Sequence, residues 1–182
     1  MTGNCNGKFL RVDLTQGKIW TEEPEERFYR TYFGGWGFIA YYLLRELEPR
    51  ADPLGPENLL IFAPGVVTGA PVAGSGRHGV GAKTPLTGAF GAAEAGGFWG
   101  TELKQAGFDA LIVSGAAEQP VYLWIHDGEA EIREASQIWG QPTADTQQAI
   151  SQESGDEKVR VAAIGPGGER LVRYACIVHD RK

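Results

Sequence analysis

Cysteine is nearly missing from this chain: among 182 residues only Cys5 and Cys176 carry thiols, and they lie far apart. Neither belongs to a C-x-x-C pair of the kind that holds zinc or an iron–sulfur cluster, so this chain alone carries no such centre. Within the apolar "YACIV", Cys176 reads as a buried strand thiol. Long hydrophobic runs are missing too. Nothing approaches the roughly 18–20 apolar residues of a membrane span, and "MTGNCNGKFLRVDL" lacks the apolar core of a signal peptide, so the expectation is a cytoplasmic protein without a membrane segment. Basic clusters are absent: 17 Lys and Arg face 23 Asp and Glu, the net charge is −6 and the pI is near 5.1. No stretch gathers the positive face that nucleic acid or anionic lipid requires. There is no low-complexity linker, Ser-His-Asp constellation, metal-spaced His pair or isolated carboxylate dyad, and His126 and His179 read as structural residues at strand ends.

What is present reads as one compact unit of mixed strands and helices, class α+β. "GKFLRVDLTQGKIWTEE" alternates apolar and polar residues around a Thr-Gln-Gly turn, the pattern of a hairpin with one buried face. "VYLWIHDGEAEIRE" repeats it around Asp127-Gly128, where both turn positions tolerate positive φ. "EERFYRTYFGGWGFIAYYLLRELEP" predicts a short helix, a break at Gly34-Gly35 and a second helix stopped by Pro49. "TADTQQAISQES" predicts a polar helix, capped by Thr143 or Asp145 and ending at Gly155. "NLLIFAPG" and "VRVAAIGPGG" are apolar strands running into Pro/Gly turns. Between them, "GFWGTELKQAGFDALIVSG" gives a helix over Trp99–Gln105, closed by Gly107, and a buried strand. The order hairpin, helix, strand, Pro/Gly turn, strand occurs twice, which suggests an internal duplication.

Glycine is in excess, with 26 residues, and the excess is concentrated. Gly65 to Gly100 holds eleven glycines in thirty-six positions. Glycine inside an element weakens it by roughly 0.5–1 kcal/mol relative to Ala, so the stretch needs a reason. One is tight turns and bulges, as at Pro64-Gly65 and Leu86-Thr87-Gly88. The other is a flat surface where main-chain N–H groups face a large anionic ligand. "GSGRHGVG" has the G-x-G-x-x-G spacing, but Pro85 and Gly88 prevent the helix that a dinucleotide site needs, and no P-loop is present. Arg77, set among these glycines, has the fixed charge and planar fork suited to phosphate. A period-2 strand would put Arg77, Gly79, Gly81 and Lys83 on one face and His78 on the other, making Lys83 a candidate second cation. Gly96 and Gly97 precede a helix N-terminus, another anion-favouring feature. Glu94 reads as exposed.

The segments "GNCNGKFLRVDLTQGKI", "DPLGPENLLIFAPG", "GSGRHGVGAKTPLTGAFG", "AGGFWGTELKQAGFDALIVSGAAEQPVYLWI" and "IGPGGERLVRYACIVHD" together resemble the N-terminal domain of the tungsten-containing aldehyde:ferredoxin oxidoreductase family. The resemblance implies that residues 1–182 form the base on which a tungsten (or molybdenum) bis-pterin lies. It further implies aldehyde oxidation to carboxylate, with electrons passing through a [4Fe–4S] cluster to ferredoxin. It assigns Arg77 to the cofactor phosphate and cluster surroundings, the main-chain carbonyl of Glu94 to the magnesium that joins the pterin phosphates, and Gly96 and Gly97 to pterin contacts. The family pattern carries Asn at the position of Glu94. Family members continue beyond "HDRK" into helical domains with the cluster cysteines and substrate cavity. The chain therefore reads as a domain inactive by itself, whose partners are the remaining domains, ferredoxin, the aldehyde and a second copy in a homo-oligomer. A stand-alone pterin-binding or cofactor-insertion module and a purely structural interaction domain are the alternatives.

Overall fold

The computed structural model describes residues 5–180. Its backbone is α+β. The first hairpin forms as β1 (Phe9–Asp13) and β2 (Lys18–Glu22), antiparallel around a turn in which Gly17 takes φ +62°. Two helices follow, α1 (Glu26–Tyr32) and α2 (Trp36–Glu46), separated by Phe33, Gly34 and Gly35, all at positive φ. Next come β3 (Leu60–Pro64), β4 (His78–Lys83), β5 (Phe90–Ala95), α3 (Trp99–Gln105) and β6 (Ala110–Ser114). These strands form one six-stranded sheet in the order β2-β1-β6-β3-β4-β5, with β6 parallel to β1 and the other neighbours antiparallel.

The sheet is covered on both faces, so β1 buries both sides rather than the one that its alternation suggests. Phe9 points with Ile61, Ala63, Ala110 and Ile112 into an aromatic-rich core under α1 and α2, joining Tyr29, Phe38 and Tyr42. Leu10 and Val12 point the other way, with Phe62 and Leu111, towards Leu103 of α3. The outer layer of this second core is the hairpin β7 (Val121–His126) and β8 (Glu129–Glu134), whose turn holds Asp127 at φ 45° and Gly128 at φ 83°, as its sequence predicts.

The last third departs from expectation in three places. The polar helix, α4 (Thr143–Ser154), ends at a left-handed Gly155, but its cap is Pro142, whose carbonyl accepts from Asp145 N and Thr146 N at 3.0 Å each; Thr143 is the first helical residue. The apolar segment "VRVAAI" pairs over two residues only, β9 (Ala162–Ala163), because the following Pro-Gly-Gly run forms a short helix, α5 (Pro166–Glu169). Cys176 is exposed rather than buried, since it lies in the turns between α5 and β10 (Val178–His179), before the chain enters the ladder. Strand β10 pairs antiparallel with β9, as β4 does with β3. No helix among the described residues is long and apolar enough to cross a membrane.

Candidate functional site

The glycines of β4 answer the packing question differently from the sequence. A Cβ on Gly79 would stand 3.1 Å from Ile39 Cδ1 and 3.2 Å from Trp36 Cδ1, and one on Gly81 would overlap Ile39. Their role is to let α2 lie close to the sheet. Gly100 does the same on the opposite face, where a Cβ would meet His78 Cβ at 2.8 Å. The strand glycines are thus occupied by the protein's own helices and do not form an open ligand floor.

Open backbone remains at one end of the sheet. Gly96 and Gly97 follow β5 and are exposed; a Cβ on Gly96 would meet nothing within 4 Å, and one on Gly97 only Asp180 Oδ2 at 3.8 Å. The backbone at Gly76 packs against the Gly97 carbonyl, 2.5 Å from where a Cβ would stand. Thr68 fixes the neighbouring turn: its hydroxyl accepts from Gly65 N at 2.8 Å and donates to the Arg77 carbonyl at 2.7 Å. No pattern in the sequence marks Thr68 for this task. Arg77 thereby projects from an anchored main chain while its side chain is 68% exposed. Its guanidinium Nη1 lies 3.6 Å from Glu94 Oε2, on the neighbouring strand where Gly79 pairs with Glu94. Both partners are solvated, so the pair contributes about 0–1 kcal/mol and leaves the guanidinium available. Phe33 in the break before α2, Trp36 at the start of α2 and Phe98 just before α3 are each more than half exposed. The Arg160 guanidinium stacks over Phe98 at 4.6 Å.

The structure thus brings Arg77, Glu94, Gly96 and Gly97 together and leaves Lys83 out. Lys83 ends β4 at the far side from Arg77, roughly 20 Å along an extended strand, and its ammonium donates to the Pro49 and Ala51 carbonyls at 2.8 Å each. It ties down the chain after α2 instead of supplying a second cation. The helix after Gly97 is only seven residues long and has no side-chain cap, so its dipole adds little to the patch. Among the described residues no group of three or more His, Cys, Asp or Glu could hold a metal ion. The patch therefore offers a guanidinium, unhindered main chain and apolar edges.

Behind the patch, two imidazoles meet. His78 Nε2 and His179 Nε2 are 3.1 Å apart, with Trp99 against both rings, and the buried His78 Nδ1 has no hydrogen-bond partner. Burial, then the neighbouring His179, lowers the His78 pKa to about 4, and burial also lowers that of His179. The folded state therefore holds His78 neutral where the unfolded chain, at about 6.5, is protonated. Between these values the unfolded state binds more protons, so stability falls as pH drops from about 6.5 to about 4 and levels off below. The expected loss from His78 is about 3 kcal/mol. Urea midpoints measured at pH 7.5 and 4.5 check it: the wild type should lose markedly more than a His78→Asn variant, and equal losses would refute this account.

One mixed sheet covered on both faces, with an exposed guanidinium beside open main chain at one end, defines an α+β domain with a candidate anion-binding patch. The comparisons with known proteins identify it. The family model for the aldehyde ferredoxin oxidoreductase N-terminal domain matches residues 9–182. The chain is 48% identical over 96% of its length to the tungsten-containing aldehyde ferredoxin oxidoreductase of Pyrococcus abyssi, covering 29% of that protein. It is 34% identical to an aliphatic sulfonate oxidoreductase, WOR-like subunit, of Pyrococcus furiosus, over 95% of this chain and 30% of the other. Among solved structures, the active-site complex BamBC of benzoyl coenzyme A reductase superposes with a TM-score of 0.95 at 39% identity, covering 98% of this chain and 27% of that one. The chain belongs to the aldehyde ferredoxin oxidoreductase family, as its N-terminal domain, and spans about 30% of the length of its curated relatives.

Proposed function

We propose that residues 1–182 are the cofactor platform of a tungsten-containing oxidoreductase that converts aldehydes to carboxylates and passes the electrons to ferredoxin. The observation that carries this reading is the anchored, solvent-facing Arg77 guanidinium beside the unhindered backbone of Gly96 and Gly97. These residues fit the phosphate end of a bis-pterin: Arg77 would hold its anionic oxygens, Gly96 and Gly97 would let the ring system approach the main chain, and the main-chain carbonyl of Glu94 would be a ligand for an accompanying magnesium. Because that contact would come from backbone, the carboxylate side chain at Glu94 is compatible with it, and its weak, solvated ion pair leaves Arg77 available. When bound, the tungsten bis-pterin supplies the low-potential redox chemistry, linked to ferredoxin by a [4Fe–4S] cluster.

The domain by itself lacks catalytic groups and is inactive alone; the remaining domains supply the cluster ligands and substrate cavity. Relatives named for an aldehyde, a sulfonate and a benzoyl coenzyme A reaction share this domain, which supports placing substrate choice elsewhere. The assembled enzyme works in the cytoplasm as a homo-oligomer. The test is pterin and tungsten content of the complete polypeptide produced in a tungstate-fed anaerobe. A charge-assisted contact is worth about 1.5–3 kcal/mol, so Arg77→Ala should weaken cofactor retention by roughly 10–100-fold, with Arg77→Lys intermediate. Full retention in Arg77→Ala would overturn the assignment.

A further inference from the structure

We propose that Thr68 is a positioning residue for cofactor seating: together with the buried Lys104 ammonium it locks the turn over residues 65–68, and thereby sets where the Arg77 guanidinium stands. The proposal rests on the reading of this chain as a cofactor platform. It goes beyond that reading by placing part of the seating machinery inside the protein, away from the ligand.

The turn is closed twice. Thr68 N donates to the Gly65 carbonyl at 3.0 Å, and Gly65 N donates back to the Thr68 hydroxyl at 2.8 Å. A hydroxyl has one proton to give, and here it goes to the Arg77 carbonyl at 2.7 Å, so the turn after β3 is bonded to the residue just before β4. Thr68 is 2% exposed, and losing its hydroxyl would leave a buried donor and a buried acceptor unpaired. From within the protein, Lys104 Nζ donates to the Gly65 and Val66 carbonyls at 3.4 Å each and lies 3.6 Å from Asp109 Oδ1. Burying an ion pair carries a heavy desolvation penalty, and apolar residues of the same volume are often at least as stable. A pair retained despite that penalty needs a use besides stability, and its grip on two successive carbonyls of one turn supplies it. On the other side, Val66 N donates to the Phe33 carbonyl at 3.3 Å, which fastens the same turn to the break between α1 and α2.

What the turn controls is the reach of one side chain. The contact of Arg77 with Glu94 is too long and too solvated to aim the guanidinium. Its direction is set at the main chain, by the bond to Thr68 and by the strand pairing that begins at the next residue, where His78 faces Ala95. A binding group held within about 0.5 Å of its productive position needs such support behind it. Freeing the Arg77 carbonyl would also loosen Gly76, which packs against the Gly97 carbonyl. Both halves of the patch would then shift together.

The test uses the complete polypeptide loaded in a tungstate-fed anaerobe. Bound tungsten and pterin are followed over time in cofactor-free buffer, at a temperature where circular dichroism shows every variant folded. Thr68→Val keeps the shape and removes the hydroxyl; it should release cofactor about 10-fold faster than wild type, the scale set by an unmade hydrogen bond at a buried site. Thr68→Ser keeps the hydroxyl and should stay within about twofold of wild type. In an Arg77→Ala background Thr68→Val should add less than about a further twofold, because Thr68 acts through the guanidinium, whereas a merely structural threonine adds its full effect. Release from Thr68→Val at the wild-type rate, equal effects of Val and Ser, or full additivity with Arg77→Ala each overturns the proposal. The wild type gives a check that needs no variant, since coupling is reciprocal and loading must steady the turn. The Gly65 amide, donor to the Thr68 hydroxyl, should exchange about 10-fold more slowly in loaded than in tungstate-starved protein, over and above any change in the amides of Lys18–Glu22. Equal slowing of both overturns it. Arg77→Ala alone separates the two readings: if it keeps the cofactor, the platform reading falls, and if it loses the cofactor while Thr68→Val does not, only the role of the turn falls.

Discussion

Gly37→Ala is expected to lower stability by about 3 kcal/mol, although replacing glycine by alanine inside a helix ordinarily raises it by roughly 0.5–1 kcal/mol. Gly37 is the second residue of α2, where the chain has just turned back from α1. A Cβ there would overlap the Tyr32 carbonyl oxygen and stand 3.0 Å from the Tyr32 carbonyl carbon, so the obstruction is backbone and no rotamer relieves it. The Gly37 amide also donates to the Gly34 carbonyl at 3.1 Å, which fixes the first turn of α2 to the break. Displacing α2 disturbs Phe38, Ile39 and Tyr42, all nearly inaccessible to solvent, and through them the ring cluster around Phe9. For a chain of this size the loss corresponds to roughly 6–12 °C in Tm. Gly96→Ala is the control: its Cβ meets nothing, and stability should stay within about 0.5 kcal/mol of wild type. Thermal and urea unfolding followed by tryptophan fluorescence would decide, and a Gly37→Ala protein as stable as the control would refute the packing account.

A loss of about 3–5 kcal/mol is expected for Asp109→Ala. Asp109 sits between α3 and β6 and is 2% exposed. One carboxylate oxygen accepts from Gly7 N at 2.8 Å and from the Tyr29 hydroxyl at 3.0 Å; the other lies 3.6 Å from the buried Lys104 ammonium. Lys104 also donates to the Gly65 and Val66 carbonyls at 3.4 Å each. The carboxylate thus joins the N-terminal segment, α1 and α3, and through Lys104 the turn after β3 that leads towards Arg77. Its removal leaves a buried cation without its counter-charge and two donors without an acceptor, and both consequences are costly away from water. Burial and the Asp109 charge together raise the Tyr29 pKa, so that hydroxyl stays protonated at neutral pH and donates to the carboxylate. Asp109→Asn keeps an acceptor for Gly7 and Tyr29 and should lose distinctly less than Asp109→Ala. Equal losses in the two variants would show that the charge dominates, and no loss in either would refute the cluster's structural role.

Nothing in the sequence marks that cluster. Lys104 and Asp109 are polar residues on either side of a helix stop, and their burial follows only when α3 turns its inner face onto the sheet. The same holds for His78 and His179, which are 101 positions apart and meet at 3.1 Å. Local chemistry was far more legible. Asp127-Gly128 and Gly17 announce their hairpins, Gly34-Gly35 announces the break between α1 and α2, and Gly107 and Gly155 mark the ends of α3 and α4, because the left-handed backbone at these positions is a local demand. The site was legible in part. Arg77, Glu94, Gly96 and Gly97 lie together at one end of the sheet, whereas Lys83, at the end of β4 far from Arg77, is carried away from it by the strand's length.

By itself, the sequence determined the α+β class, the positions of most strands and helices, and membership of the oxidoreductase family, since periodicity, turn residues and the order of its motifs are properties of the chain read along its length. Tertiary structure alone decided what each glycine is for. Gly79 and Gly81 admit α2, Gly100 admits His78, and Gly96 and Gly97 face outward beside Arg77. A missing side chain shows that something must come close; whether that neighbour is the protein's own helix or a bound ligand depends on which elements the fold stacks against it.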